Sequence, residues 1–298
     1  MKVKVLVTLI VLGSFSMQLH AQPNLLNAKV PQEIGRLNKN QSTANNTAPL
    51  SYGYIDDRDV MWSKTIWELI DLDQRINFPF YYPTDTINLG SDRRSLFHVL
   101  KEGIKLGAIK EVYDDDYFKF KLSFDEIEEK LVAIDTLDAG RDQLNAGEKI
   151  DPQYINKRTI TSREIRQYWV KGIWYFDRRL GELKYRMLGI APVAPDVNFL
   201  NQAEEEQDLI PLFWIWYPDA RVTLHNTKVF NKENTSRPIS FDNLLNSRRF
   251  SSIIYKEDNV YEDRKIGDYI FEDAMLRLME SDRIKAKILN FEQDMWNN

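Results

Sequence analysis

The chain carries few side chains suited to acid–base, nucleophilic or metal chemistry. His20, His98 and His225 are its only histidines, and it has no cysteine. A zinc site built from clustered His and Cys is therefore excluded. A Ser-His-Asp arrangement would have to take its base from His98 or His225, and neither stands near a nucleophile-elbow motif. His98 falls between Phe97 and Leu100 in an apolar helical pattern, which reads as a half-buried or surface histidine. No Gly-rich phosphate loop or dinucleotide fingerprint occurs, which removes most nucleotide-dependent enzymes. Asp114, Asp115 and Asp116 lack the alternating ligands and central glycine of a calcium loop, and Glu204 to Glu206 is a plain charge run; both read as solvated turns. Aromatic faces beside carboxylates can stack on sugars and hydrolyse glycosides. Trp62, Trp67, Trp169, Trp174, Trp214 and Trp216 all fall inside strand or helix patterns, however, and core packing is the default for them. No catalytic residue, cofactor or metal ligand is assigned.

The elements that would position any site are organised around Arg163–Val193. One parity of its first arm holds Trp169, Ile173 and Tyr175, and the other holds Tyr168, Val170, Trp174 and Phe176. Both faces are apolar, so this strand needs cover on both sides. The second arm alternates Leu183, Tyr185 and Met187 with Glu182, Lys184 and Arg186, as a half-exposed strand does. Asp177, Arg178, Arg179 and Gly181 supply the turn, and Pro192 and Pro195 end the hairpin.

Before the hairpin, the pattern predicts a helix over Asp57–Leu72 with Trp62, Ile66, Leu69 and Ile70 on one face. It then predicts an extended segment over Asn77–Tyr82, demoted to an edge by Pro79, and a helix over Asp92–Leu106. Tyr117–Leu122 alternates as a strand. Ser123 and Glu126 make a capping box for a helix burying Phe124, Ile127, Leu131 and Ile134. Asp138–Lys157 reads as a boundary or long surface loop. After the hairpin come a doubly buried strand over Leu212–Tyr217 stopped by Pro218, a stretch Asp219–Asn231 left open between helix and strand, a Ser240-capped helix to Phe250, and a strand over Ser252–Lys256. A long last helix over Tyr269–Phe291 places Ile270, Phe271, Ala274, Met275 and Leu278 on one face. The fold class this implies is α+β, with mixed, mainly antiparallel strands, flanking amphipathic helices and a long C-terminal helix.

Composition sets the class of protein. With 298 residues, 43% of them hydrophobic and 12% aromatic, the chain can build a sizeable core. A net charge of -5 with acids and bases interspersed argues against a nucleic-acid partner. The pairs Arg93-Arg94, Arg178-Arg179 and Arg248-Arg249 read as solvated turn or helix residues. Lys2 and Lys4 precede an apolar run from Val5 to Leu19, followed by Ala21, so residues 1–21 read as a cleaved export signal cut between Ala21 and Gln22. The run is short for a bilayer span, and no other stretch would cross one. Residues 22–51 form a polar, Asn-rich arm. Its apolar handles are Leu25, Leu26, Val30, Ile34 and Leu37, and it reads as a spacer or a segment that orders on a partner. The rest divides into a helix-rich α+β part over 52–145 and an aromatic-strand α+β part over 146–298.

Long phrases of this sequence resemble the GldN/PorN family of Bacteroidota: SREIRQYWVKGIWYFDRRLGELKYRMLGIAPV, PLFWIWYPDARVTL, ISFDNLLNSRRFSSIIYKEDNVYEDRKIGDYI and RDVMWSKTIWELIDLDQRINFPFYYP. The resemblance covers the chain from about Asp56 to the final helix. It implies a non-enzymatic periplasmic component of the type IX protein secretion system, supporting gliding motility in some relatives. It also implies ring assemblies with a GldK/PorK-type outer-membrane lipoprotein, and contact with a GldM/PorM-type motor component. It brings no catalytic residues to carry over. A periplasmic glycan-binding or glycan-cleaving protein is the alternative.

Overall fold

The computed structural model describes residues 49–85, 93–147, 149, 151–200, 208–231, 239–271 and 273–296. The Ala21–Gln22 cut, the arm up to residue 48 and Glu204–Glu206 lie outside these residues. In chain order the first half holds β1 (Val60–Asp71), α1 (Phe78–Tyr81), α2 (Leu96–Lys105), β2 (Val112–Tyr113), α3 (Phe124–Leu131), β3 (Val132–Thr136), α4 (Asp138–Asn145) and β4 (Ile155–Thr159). The second holds β5 (Gln167–Asp177), β6 (Glu182–Pro195), β7 (Leu209–Pro211), β8 (Trp214–Trp216), α5 (Tyr217–Asn226), β9 (Lys228–Val229), β10 (Ile239–Ser240), α6 (Phe241–Asn246), β11 (Ile253–Glu257) and α7 (Ala274–Trp296). This is the α+β class expected.

The hairpin of β5 and β6 is the middle of a seven-stranded antiparallel sheet in the order β11-β1-β5-β6-β8-β2, with β7 also paired to β6. Asp177 holds the turn by accepting the N–H groups of Arg179 and Leu180, and Gly181 closes it at a φ of 66°, a backbone state glycine adopts without a Cβ clash. Pro192 does not end the strand; β6 runs on to Pro195. Pro192 lies opposite Tyr168, yet its carbonyl accepts the Leu212 N–H on the other side. The N and C=O of one residue point the same way along a strand, so no bond to β5 is lost.

Several local expectations give way to tertiary context. Asp57–Leu72 is not a helix: only Asp57–Asp59 turns, as a 3-10 segment, and β1 takes the rest. Val60, Trp62, Thr65, Ile66, Trp67 and Ile70 are strand formers, and β1 is paired along its length with β5 and over Ile66–Leu69 with β11 as well. Within Asn77–Tyr82, Phe78–Tyr81 is helical rather than extended, with Pro79 in the first turn of α1, where a missing N–H costs nothing. Tyr117–Leu122 is a turn, not a strand. The Asp115 carboxylate gathers the N–H groups of Tyr117, Lys119 and Phe120, and Phe118 takes a φ of 58°. The capping box on α3 is present and Ile127 and Leu131 are buried, but Ile134 sits exposed in β3. The expected loop over Asp138–Lys157 contains α4, a 3-10 turn at Pro152–Tyr154 and the start of β4. Pro218 opens α5 rather than stopping a strand, which settles the region left open as helix to Asn226. The last helix begins at Ala274 and buries Ser281, Ile284 and Ile288; of the face expected inside, Phe271, Ala274, Met275 and Leu278 are in water, while Ile270, ahead of the helix, packs against the Ile66 cluster.

The main core lies on one face of the sheet. Ile70, Tyr168, Val170, Met187, Ile190 and Ile215 pack under α2, α5 and α6. Towards the β11 edge of that face, Ile66, Ile254 and Ile266 are covered by Ile284 and Ile288 of α7. The alternation of strand side chains sends Trp67, Trp169, Ala191 and Trp214 to the opposite face. There Tyr113, Phe118 and Tyr255 cover them.

Candidate functional site

The two histidines among the described residues stand on separate helices. His98 stands on α2, half-buried, and burial holds its imidazole below the ordinary histidine value. His225 is near the end of α5, likewise partly buried. No group of three or more His, Cys, Asp or Glu able to hold a metal occurs among the described residues. Of the tryptophans on strands, Trp67 and Trp214 are buried, and Trp62, Trp169, Trp174 and Trp216 are partly so.

What the structure does assemble is a set of buried ionic clusters. Beneath the turn after β2, Lys171 from β5 and Lys256 from β11 converge on one acid. Lys171 Nζ donates to the Asp116 carbonyl at 2.8 Å, while Lys256 Nζ donates to the Asp116 carboxylate at 2.8 Å and to the Tyr117 hydroxyl at 3.1 Å. Both ammonium groups face aromatic rings, Lys171 at 4.7 Å and Lys256 at 4.1 Å from the Trp67 centroid, a geometry that stabilises a cation removed from water. Burial lowers the Lys171 pKa. For Lys256 burial acts in the same sense, but its bonds to Asp116 and Tyr117 outweigh it and the net shift is upward. Tyr117 passes the network on to Asp263 at 2.9 Å. The acidic triplet is thus only in part a solvated turn: Asp114 pairs with Lys130, Asp115 caps the turn and Asp116 rivets it to the sheet.

On the other face Glu68, inside β1 and 1% exposed, receives a two-pronged bond from Arg248 at 2.9 and 2.7 Å, and one from Ser252 at 2.8 Å. Arg248, expected as a solvated turn residue, lies over the Tyr185 ring at 4.2 Å. A third cluster joins α5 to α6: Asp242 accepts from Arg221, Tyr217 and Asn246. Tyr52 closes it, donating to Asn246 at 2.9 Å, with its ring between Arg221 and Arg186 and its hydroxyl pushed up to about 12 by burial. Each of these carboxylates accepts at least one bond from a cation: Asp116 from Lys256, Glu68 from Arg248 and Asp242 from Arg221. These clusters hold elements together. Their sequence signal is a charge inside an otherwise apolar run, Lys171 in YWVKGIWYF and Glu68 in TIWELI.

One cleft of about 490 Å³ opens between the start of β1, residues 258–263 and α7. Trp62, Ile284 and Ile288 give it an apolar floor, and Trp62 stacks on Phe291 at 4.6 Å. Lys64 and Lys287 also line it, and Lys64 is paired with Glu257 at 3.2 Å and Asp258 at 3.1 Å. Such a floor can hold an apolar side chain.

The sequence pattern of the family described as Gliding motility associated protein GldN matches residues 55–297. No curated protein matches the chain. The matched span takes in the whole seven-stranded sheet, the helices on it and all three ionic clusters except Tyr52. The chain belongs to the GldN family of gliding-motility-associated proteins.

Proposed function

We propose that this protein is a structural, non-enzymatic subunit of the type IX secretion and gliding machinery, exported to the periplasm. There it builds a ring under the outer membrane with a GldK/PorK-type lipoprotein and touches a GldM/PorM-type motor domain. The observation that carries this reading is the GldN match over residues 55–297. The physics of the fold supports it: charged groups are spent on joining loops and helices to the sheet, and large apolar side chains are left in water on α7. Among the described residues no helix is long and apolar enough to cross a membrane. Attachment to the outer membrane then falls to the lipoprotein partner.

Affinity capture of the tagged protein from detergent-solubilised envelopes, with mass spectrometry and negative-stain microscopy of the eluate, tests this. The expected result is a lipoprotein partner in ring-shaped particles. A monodisperse monomer recovered without a partner under mild conditions would overturn it.

A further inference from the structure

β3 and β4 stand apart from the main sheet. They pair with each other in a two-stranded antiparallel ribbon running from Val132↔Thr159 to Thr136↔Ile155. The bonds at its ends fix how the backbone inside it is used: the Ile160 N–H donates to the Leu131 carbonyl, and the Leu137 N–H to the Tyr154 carbonyl. In an antiparallel ladder every second residue bonds the partner strand. Ala133 and Asp135 therefore face β4, while Val132, Ile134 and Thr136 turn their N–H and C=O groups to the outer edge. The Val132 N–H is taken by the Glu128 carbonyl. The N–H groups of Ile134 and Thr136, and the carbonyls of Val132, Ile134 and Thr136, have no partner among the described residues.

The main sheet covers its own edges. Lys265 bridges to Lys256 of β11, the Ser281 hydroxyl accepts the Ile254 N–H, and Lys121 bridges to Tyr113 of β2. An uncovered edge is a template for another strand, and folds commonly guard one with lysine, proline or a bulge. β4 carries the exposed Lys157. β3 has no such guard: its outward positions are all β-branched, Ile134 is 62% exposed, and its one charge, Asp135, is held by Arg158.

The order of residues along this edge decides which strand fits it. Laid antiparallel against a second copy about a two-fold axis at Ile134, β3 offers a partner for each of its own free N–H groups. The Ile134 N–H meets the Ile134 carbonyl of the other copy and the Thr136 N–H meets the Val132 carbonyl, each bond doubled by the axis. Ile134 then faces Ile134, Val132 faces Thr136 and Asp135 faces Ala133, so no charge stands opposite its like. The row Ile155, Thr136, Val132, Thr159 runs unbroken across both copies, and β-branched side chains suit such a surface. Other registers fit worse. An axis at Asp135 sets that carboxylate against its own copy, and an axis at Ala133 needs the Val132 N–H that Glu128 already holds.

We propose that the outer edge of β3 is a homotypic interaction surface, joining two copies of this chain in one continuous sheet of order β4-β3-β3-β4. The contact is isologous and stops at two copies. It adds to any contact that closes a ring and does not rest on the machine reading above.

The chain has no cysteine, so a single introduced thiol reports on a single position. In the full mature chain, Ile134→Cys puts the thiols of the two copies on Cα atoms about 5.5 Å apart, within disulfide reach. Lys157→Cys on β4 puts them about 14 Å apart, beyond that reach. Under mild oxidant Ile134→Cys should give several-fold more covalent dimer than Lys157→Cys; equal yields overturn the contact. Sedimentation of the unsubstituted protein should show growth toward a dimer with concentration. Ile134→Lys, which places a guard on the edge at an exposed position, should abolish that growth. Ile134→Pro removes an N–H that β4 does not use and should weaken it several-fold. A protein that stays monomeric at every concentration refutes the proposal, as does a dimer that survives Ile134→Lys. Capture of a different protein's strand on this edge, without self-association, also counts against it.

Discussion

Glu68 has no water to fall back on. Its carboxylate sits at 1% exposure in the middle of β1, and its three good donors are the two arms of Arg248 and the Ser252 hydroxyl. Truncating one member of a buried pair strands the other charge, at about 3–5 kcal/mol. Arg248 keeps a quarter of its side chain in solvent, so Glu68→Ala should cost about 3 kcal/mol, at the lower end of that range. Urea titration at neutral pH reads this directly, and a midpoint unchanged from wild type would show the pair to be idle. Lys171 and Lys256 obey the same logic with aromatic faces in place of a second acid. The charges in these apolar runs were visible in the sequence. Their partners were not, since Asp116 lies 55 residues from Lys171 and Arg248 lies 180 from Glu68.

At the scale of elements, the β5–β6 hairpin was legible because alternation, turn residues and glycine agreed, and because a hairpin is a local structure. The strand β1 was not. Trp62, Ile66 and Ile70 recur at a spacing of four, which suits one face of a helix and one face of a strand equally. Only the presence of β5 and β11 on either side decides between them. The same neighbours explain Gly172. A Cβ there would stand 2.1 Å from the Tyr185 hydroxyl and 2.2 Å from its ring, so this glycine is what lets Tyr185 cross β5 towards Glu68. Gly172→Ala should therefore destabilise by about 1–3 kcal/mol through overpacking. Tyr185→Phe combined with it would relieve only the 2.1 Å contact. Thermal unfolding of the single variant would refute the account if its midpoint matched wild type. For α7 the period was right and the buried face was wrong: both sides of its first turns carry apolar residues, and nothing local says which side meets β11.

Across the whole molecule, several carboxylates that tie surface segments down have pKa values below the ordinary range. Burial would raise Asp115, but the N–H groups of Phe120, Lys119 and Tyr117 outweigh it. Burial would raise Asp263 too, but the Asn259 N–H, the Tyr117 hydroxyl and the Lys256 charge outweigh that. Glu280 is lowered first by its bonds to Arg283. For each the unfolded chain binds a proton more readily than the folded one. Their stabilisation is therefore complete above the ordinary carboxylate value of about 4 and is lost as pH falls through the lower folded values. Urea midpoints should fall as pH drops below about 4, and Asp115→Asn should flatten that fall; a midpoint that rises on acidification would contradict it. The sequence by itself determined the class of fold, the central hairpin, the capped starts of α3 and α6 and the kinship to GldN, because these rest on local periodicity and on unbroken phrases of chain. The tertiary structure alone decided that Asp57–Leu72 is mostly strand, which acid holds which buried base, and which side of α7 is left in water. Those outcomes turn on cover and pairing supplied by residues far away in the chain, and burial energy of that kind exceeds any local preference.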